Sequence, residues 1–179
     1  MAEAAGFDAA ALTRAVELAL RGPAHGPNPR VGCVIVDADG TELGEGWHRG
    51  AGTAHAEVAA IADATRRGND VAGATAYVTL EPCSHAGRTG PCTDALTRAR
   101  TGAVRYAVED PNPEAAGGGE VLRGRGIDAA YVPLAAARET NRRWLGAIEH
   151  GRPWVIAKWA QTLDGRTAAV DGTSDGLSV

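Results

Sequence analysis

His55-Ala56-Glu57, followed by Pro82-Cys83 and then by Cys92, gathers one imidazole, two thiols and a carboxylate that could serve a single metal ion. Three protein ligands fall one short of a tetrahedral zinc shell and leave its fourth position to water. Zinc brings the pKa of such a water towards neutrality, and a carboxylate that does not bind the metal can carry its protons. His55, Cys83 and Cys92 are therefore the expected ligands, for one zinc ion per chain, and Glu57 is the expected catalytic residue. The bland alternative is a closed structural site, with His85 as the fourth ligand two residues after Cys83, or less aptly Asp94.

These groups must be brought together by the elements that carry them. On an ideal helix His55 and Glu57 lie about 200° apart, so they converge only at a helix start. The preceding Ala51-Gly52-Thr53-Ala54 reads as a loop that ends there. Cys92 follows Pro91 at the opening of another expected helix, whose dipole favours a thiolate. Cys83 follows Glu81-Pro82, where proline stops a strand. Two helix starts and one strand end should face the same cation.

Periodicity supplies the frame. A helix is expected over residues 7–21, ended by Gly22-Pro23, and strands over 31–36 and 42–47 form a hairpin around Asp37-Ala38-Asp39-Gly40. Helices follow at 55–67, 91–100, 120–125 and 134–149, alternating with strands at 76–80, 104–108 and 127–132. A further strand is expected at 154–159 and a turn at 162–165, whereas residues 167–179 show no periodicity. Gly117-Gly118-Gly119 reads as loop. This alternation predicts a three-layer α/β/α fold around a mixed sheet of about five strands.

Composition narrows the class. The chain has 179 residues, 44% hydrophobic and 22% charged, enough for one domain with a full core. A net charge of −4 without a basic stripe argues against a nucleic-acid surface. Glu3, Asp8, Arg14 and Glu17 do not suit a secretory signal, and no apolar run approaches the roughly 18 residues of a membrane span. Three cysteines cannot all pair, which fits a reduced, cytoplasmic setting. Cys33, inside an apolar run, reads as a core residue.

The histidine–glutamate doublet and the Pro-Cys resemble the zinc-deaminase pattern, except that eight residues separate the cysteines instead of two. The flanking pieces are more specific. Pro27-Asn28-Pro29-Arg30-Val31-Gly32-Cys33, Gly44-Glu45-Gly46-Trp47-His48, Leu80-Glu81-Pro82-Cys83-Ser84-His85-Ala86-Gly87-Arg88-Thr89-Gly90-Pro91-Cys92 and Asp110-Pro111-Asn112-Pro113 follow in order. With them the chain resembles the deaminase domain of the bifunctional riboflavin-biosynthesis deaminase–reductases, of the cytidine-deaminase-like superfamily, over roughly residues 10–150. The resemblance implies hydrolytic deamination of 2,5-diamino-6-(5-phosphoribosylamino)pyrimidin-4(3H)-one to 5-amino-6-(5-phosphoribosylamino)uracil and ammonia. It also implies that Asn28, His48, Ala56, His85, Arg88, Asp110 and Asn112 meet the phosphoribosyl-pyrimidine. On their own these residues read nearly as well otherwise: turn chemistry for Asn28, Asp110 and Asn112, a structural histidine for His48, a solvated cation for Arg88. A deaminase of another base or nucleoside, and a zinc-stabilised binding module, stay open as alternatives.

The chain departs from the family's usual pattern at Gly90-Pro91, where Pro-Pro is common, and at His25-Gly26 before the Pro-Asn-Pro segment. Residues 1–150 are the expected deaminase domain. Residues 151–179 look like the opening of a reductase domain, too short for a complete one. No G-x-G-x-x-G suits a dinucleotide, so NADPH is not expected on this chain. The apolar strand at 154–159 would present an edge that invites self-association, so a homo-oligomer is expected.

Overall fold

The computed structural model describes residues 2–85, 90–168, 170 and 172–173. The alanine-rich opening forms α1 (Ala2–Ala19), whose Leu12, Ala15, Val16 and Ala19 recur at helical spacing and are buried. A hairpin follows, β1 (Gly32–Val36) and β2 (Glu42–Trp47), its turn tied by Asp37 Oδ1, which accepts from the N–H groups of Asp39 and Thr41. The chain continues through α2 (Ala56–Arg66), β3 (Thr75–Val78), α3 (Cys92–Arg98), β4 (Ala103–Tyr106), α4 (Gly118–Gly124) and β5 (Asp128–Tyr131). Two helices, α5 (Ala135–Thr140) and α6 (Arg142–His150), follow the last strand.

The sheet order is β2-β1-β3-β4-β5. Strand β1 is antiparallel to both its neighbours, and β3, β4 and β5 are parallel. Alternate residues of β1 serve opposite cores. Cys33 and Ile35 join Ala56, Ala60, Ala64, Leu96 and Leu122 from α2, α3 and α4. Val34 and Val36 join Leu12 and Leu18 of α1 and Ala137 and Leu145 of α5 and α6. Burial on both faces explains the unbroken apolar run of β1. The three-layer α/β/α architecture is the one expected from the alternation of elements.

Close backbone contacts hold the layers. Ala56, Ala60 and Ala64 recur every fourth residue, facing the inward glycines of β2. A Cβ on Gly46 would stand 2.4 Å from Ala60 N and 2.6 Å from Ala56 O, both backbone atoms of α2. Only glycine lets α2 approach β2 so nearly.

Most expected elements form with ends moved by no more than two residues; α1 begins earlier. Three expectations need correction. The single helix over 134–149 is two, broken at Asn141, where the backbone leaves helical geometry at φ −112° and ψ 13°. Residues 154–159 have strand composition but form no strand: among the described residues no ladder partner adjoins them, and Val155 and Trp159 are 80% and 71% exposed. Gly118 and Gly119 open α4 instead of forming loop, because the helix must pass close to Pro82; a Cβ on Gly118 would fall 1.7 Å from the Pro82 carbonyl oxygen. The turn at 162–165 forms, with Gly165 N donating to Thr162 O at 2.9 Å. In the aperiodic tail, Ala169, Asp171 and residues 174–179 lie outside the described residues. No helix among the described residues is long and apolar enough to cross a membrane.

Gly46→Ala should force α2 off the sheet and lower stability by about 3 kcal/mol, measured by chemical denaturation. An unchanged midpoint and slope would show that the seam tolerates a side chain.

Candidate metal and active site

Because β1 runs against β3, the start of β1 lies beside the carboxyl end of β3, with Cys33 opposite Val78. The exits from β2, β3 and β4 therefore meet the entry to β1 at one end of the sheet, where open α/β folds place ligands. Thr79 fastens this end: its N–H donates to Gly32 O and its Oγ1 accepts from Gly32 N, both at 3.1 Å. His48 N donates to Val31 O at 2.9 Å, and Glu81 N to Val108 O at 2.8 Å.

His55 is the residue before α2, extended at φ −69° and ψ 160°, and Glu57 lies in the first helical turn. The helix thus begins between them, and the two side chains can share one site. Cys92 is the first residue of α3, after Pro91. His55 Nδ1 is 3.2 Å from Cys92 Sγ and 3.6 Å from Cys83 Sγ, and the three donor atoms all lie within 4.8 Å of one another. Tetrahedral zinc holds sulfur at about 2.3 Å and imidazole nitrogen at about 2.0–2.1 Å, which sets its ligands roughly 3.5–3.8 Å apart. The donor set fits that ion. Among the described residues the cluster consists of His55, Cys83 and Cys92; neither His85 nor Asp94 joins it.

Burial and proximity set the charges. Cys83 is held down to about 4, chiefly by its hydrogen bond with Cys92 and further by His55 and the Cys92 N–H. Cys92 is pushed up, first by Cys83 and then by burial, so the two sulfurs compete for one proton. His55 is raised chiefly by its contact with Cys83. Glu57 is 3% exposed, and burial pushes its carboxyl above the usual range.

Around this cluster lies a cavity of about 140 Å³. Of the residues singled out in the sequence, Asn28, His48, His55, Ala56, Glu57, Cys83, His85, Asp110 and Asn112 line it; Cys92, 1% exposed, is not among the lining residues. Arg88 lies outside the described residues. His48 is buried with both ring nitrogens engaged: Nδ1 with Ala54 O at 3.1 Å and Nε2 with Asn28 Nδ2 at 2.9 Å. A carbonyl can only accept, so Nδ1 donates its N–H to Ala54 O and Nε2 is left to accept the Asn28 N–H. The Asn28 oxygen is then the end left for a ligand.

Asp110 and Asn112 do the turn work that their sequence also suggested. Asp110 Oδ1 accepts from Asn112 N at 2.9 Å and Asn112 Oδ1 from Glu114 N at 3.2 Å. Among the described residues His85 Nδ1 is buried without a partner, a polar group at the cavity. Glu81, which the sequence reading passed over, is 8% exposed and accepts from Asp110 N at 3.3 Å and Gly119 N at 2.9 Å. It locks the loop after β4 to the segment that carries Cys83. A carboxylate directly before Pro-Cys was the available clue. Trp144, the other omission, reaches the cavity from α6, which nothing local in the sequence announces.

Residues 6–108 match the family model for the cytidine and deoxycytidylate deaminase zinc-binding region. The chain belongs to this family. The family model names zinc, and His55, Cys83 and Cys92 are a group of donors among the described residues that could hold it. The riboflavin biosynthesis protein RibD of Escherichia coli (strain K12) is 46% identical over 171 residues, covering 93% of this chain and 45% of that protein. A solved diaminohydroxyphosphoribosylaminopyrimidine deaminase/5-amino-6-(5-phosphoribosylamino)uracil reductase from Thermotoga maritima superposes with a TM-score of 0.81 at 37% identity, over 98% of this chain and 50% of its own. RibD of Acinetobacter baumannii gives 0.80 at 45% identity, over 95% and 48%. The chain spans about half the length, or less, of these relatives. The deaminase resemblance read from the motifs agrees with all three.

Acid should compete with zinc. Binding requires Cys92 and His55 without their protons, and both are held above their ordinary values. The zinc affinity of the metal-free chain should therefore fall by about tenfold or more per pH unit between about pH 7 and pH 5, in a chelator competition. A flat profile would contradict this donor set.

Proposed function

We propose that the chain is a zinc-dependent aminohydrolase that converts 2,5-diamino-6-(5-phosphoribosylamino)pyrimidin-4(3H)-one to 5-amino-6-(5-phosphoribosylamino)uracil and ammonia, in riboflavin biosynthesis. The observation that carries this reading is a three-donor zinc cluster opening on a cavity in which Glu57 lies buried beside it. The name of the Thermotoga maritima relative supports the substrate.

When bound, zinc supplies Lewis-acid activation of the attacking water. The Glu57 carboxylate takes a proton from that water and delivers it to the ring nitrogen beside the amine-bearing carbon. It then passes the second proton to the departing amine as the carbonyl forms and ammonia leaves. Burial raises the proton affinity of Glu57 and so suits it to hold a proton between these steps. The Asn28 oxygen and the Ala56 backbone would face the pyrimidine, and Asp110, Asn112, His85 and Arg88 the phosphoribosyl group. His85 Nδ1, which has no partner among the described residues, would donate to an anionic ligand there once protonated. For His48 the hydrogen bonds favour a role through Asn28 over a direct contact.

Residues 1–150 would form the deaminase unit, and residues 151–179 the opening of what continues in the longer relatives. Three free cysteines support a reduced, cytoplasmic setting. The exposed Val155 and Trp159 support self-association.

Glu57→Gln should keep one zinc per chain by metal analysis yet lose about 10²–10⁴-fold in ammonia release. Near-normal turnover would remove the proton-carrying role. Arg88→Ala should raise KM for the phosphorylated substrate by about tenfold or more, and much less for its nucleoside. Equal effects on the two compounds would remove the phosphate contact.

A further inference from the structure

Asn28 rides on a loop with few fixed points of its own. Residues 23–30 form neither helix nor strand, and Pro23, Pro27 and Pro29 have no N–H to give. Arg30 closes this loop: its Nε donates to the Gly22 and Pro23 carbonyls, each at 3.1 Å. Asn141 then fastens it to the body of the protein. Arg30 N donates to Asn141 Oδ1 at 2.8 Å and Asn141 Nδ2 donates to Arg30 O at 2.7 Å, across 111 residues of sequence. One side-chain amide thus pairs with the N–H and the C=O of a single residue, as a neighbouring strand would.

Asn141 is 4% exposed and stands at the break between α5 and α6, yet its side chain caps neither helix. Its hydrogen-bonding capacity goes to Arg30. Helix α6, which begins at the next residue, brings Trp144 to the wall of the cavity that Asn28 and Pro29 also line. Both Asn141 and Trp144 lie outside residues 6–108, the part that matches the deaminase family.

We propose that Asn141 is a positioning residue for substrate binding. It holds the Asn28–Arg30 loop at the cavity and docks α6, with Trp144, as a further wall of the site. The proposal rests on the reading above that Asn28 meets the phosphoribosyl-pyrimidine. Asn141 bonds to Arg30 and is not itself among the residues that line the cavity with Glu57, so its loss changes affinity and leaves the chemical step in place.

Two variants of the full, zinc-loaded chain test it. Asn141→Ala removes both hydrogen bonds; Asn141→Asp keeps the shape and the acceptor but lacks the donor to Arg30 O. Each should raise KM for the phosphoribosyl-diaminopyrimidine by about tenfold, with kcat within about threefold of the parent and zinc content unchanged. Without substrate, amide hydrogen exchange in a peptide spanning residues 24–33 should quicken in Asn141→Ala. A fall in kcat at constant KM, or unaltered exchange, would overturn the proposal. A parent chain that does not deaminate this compound would count against the substrate reading instead, and the exchange result would still decide whether Asn141 anchors the loop.

Discussion

Two sulfurs, an imidazole and a carboxylate crowd together where water barely reaches, with Cys92 and Glu57 1% and 3% exposed. Like charges about 4 Å apart cost roughly 4 kcal/mol at the effective dielectric of a protein. Without a metal, this cluster must keep protons on some of its members, which is why Cys83 and Cys92 are driven in opposite directions. A divalent cation resolves the conflict for both sulfurs at once. The rest of the fold works to keep these groups close despite their repulsion.

Strand direction does most of that work. One antiparallel neighbour beside a parallel run turns the entry to β1 and the exits from β2, β3 and β4 towards the same end of the sheet. Thr79 stitches two of these segments together, and Glu81 stitches two more. The glycines of β2 let α2 sit low on the sheet, and the first turn of α2 carries Glu57. Seven-residue α3 places Leu96 in the core and Cys92 at its beginning, where the Cys92 N–H donates to Cys83 Sγ at 3.4 Å.

The metal site was legible in the sequence because its members are chemically distinctive and sit at element ends marked by proline or by a loop. The same holds for β1, whose apolar run announces a strand buried on both faces. What escaped depends on long-range pairing. Asn141 interrupts a region with good helical periodicity, because its partner Arg30 is a loop residue far away in sequence. Residues 154–159 have a strand's composition, but a strand exists only with a neighbour to bond. The opening of α4 was misread as loop because glycine runs usually mean turns; here they mean close packing against Pro82. The cavity residues Glu81 and Trp144 were missed for the same reason: each matters through what it meets, not through its own chemistry.

X-ray absorption at the zinc edge tests the central claim most directly. The account predicts two sulfurs at about 2.3 Å, one histidine nitrogen at about 2.0–2.1 Å and one further light atom from solvent. A second histidine in the shell, or a single sulfur, would contradict it.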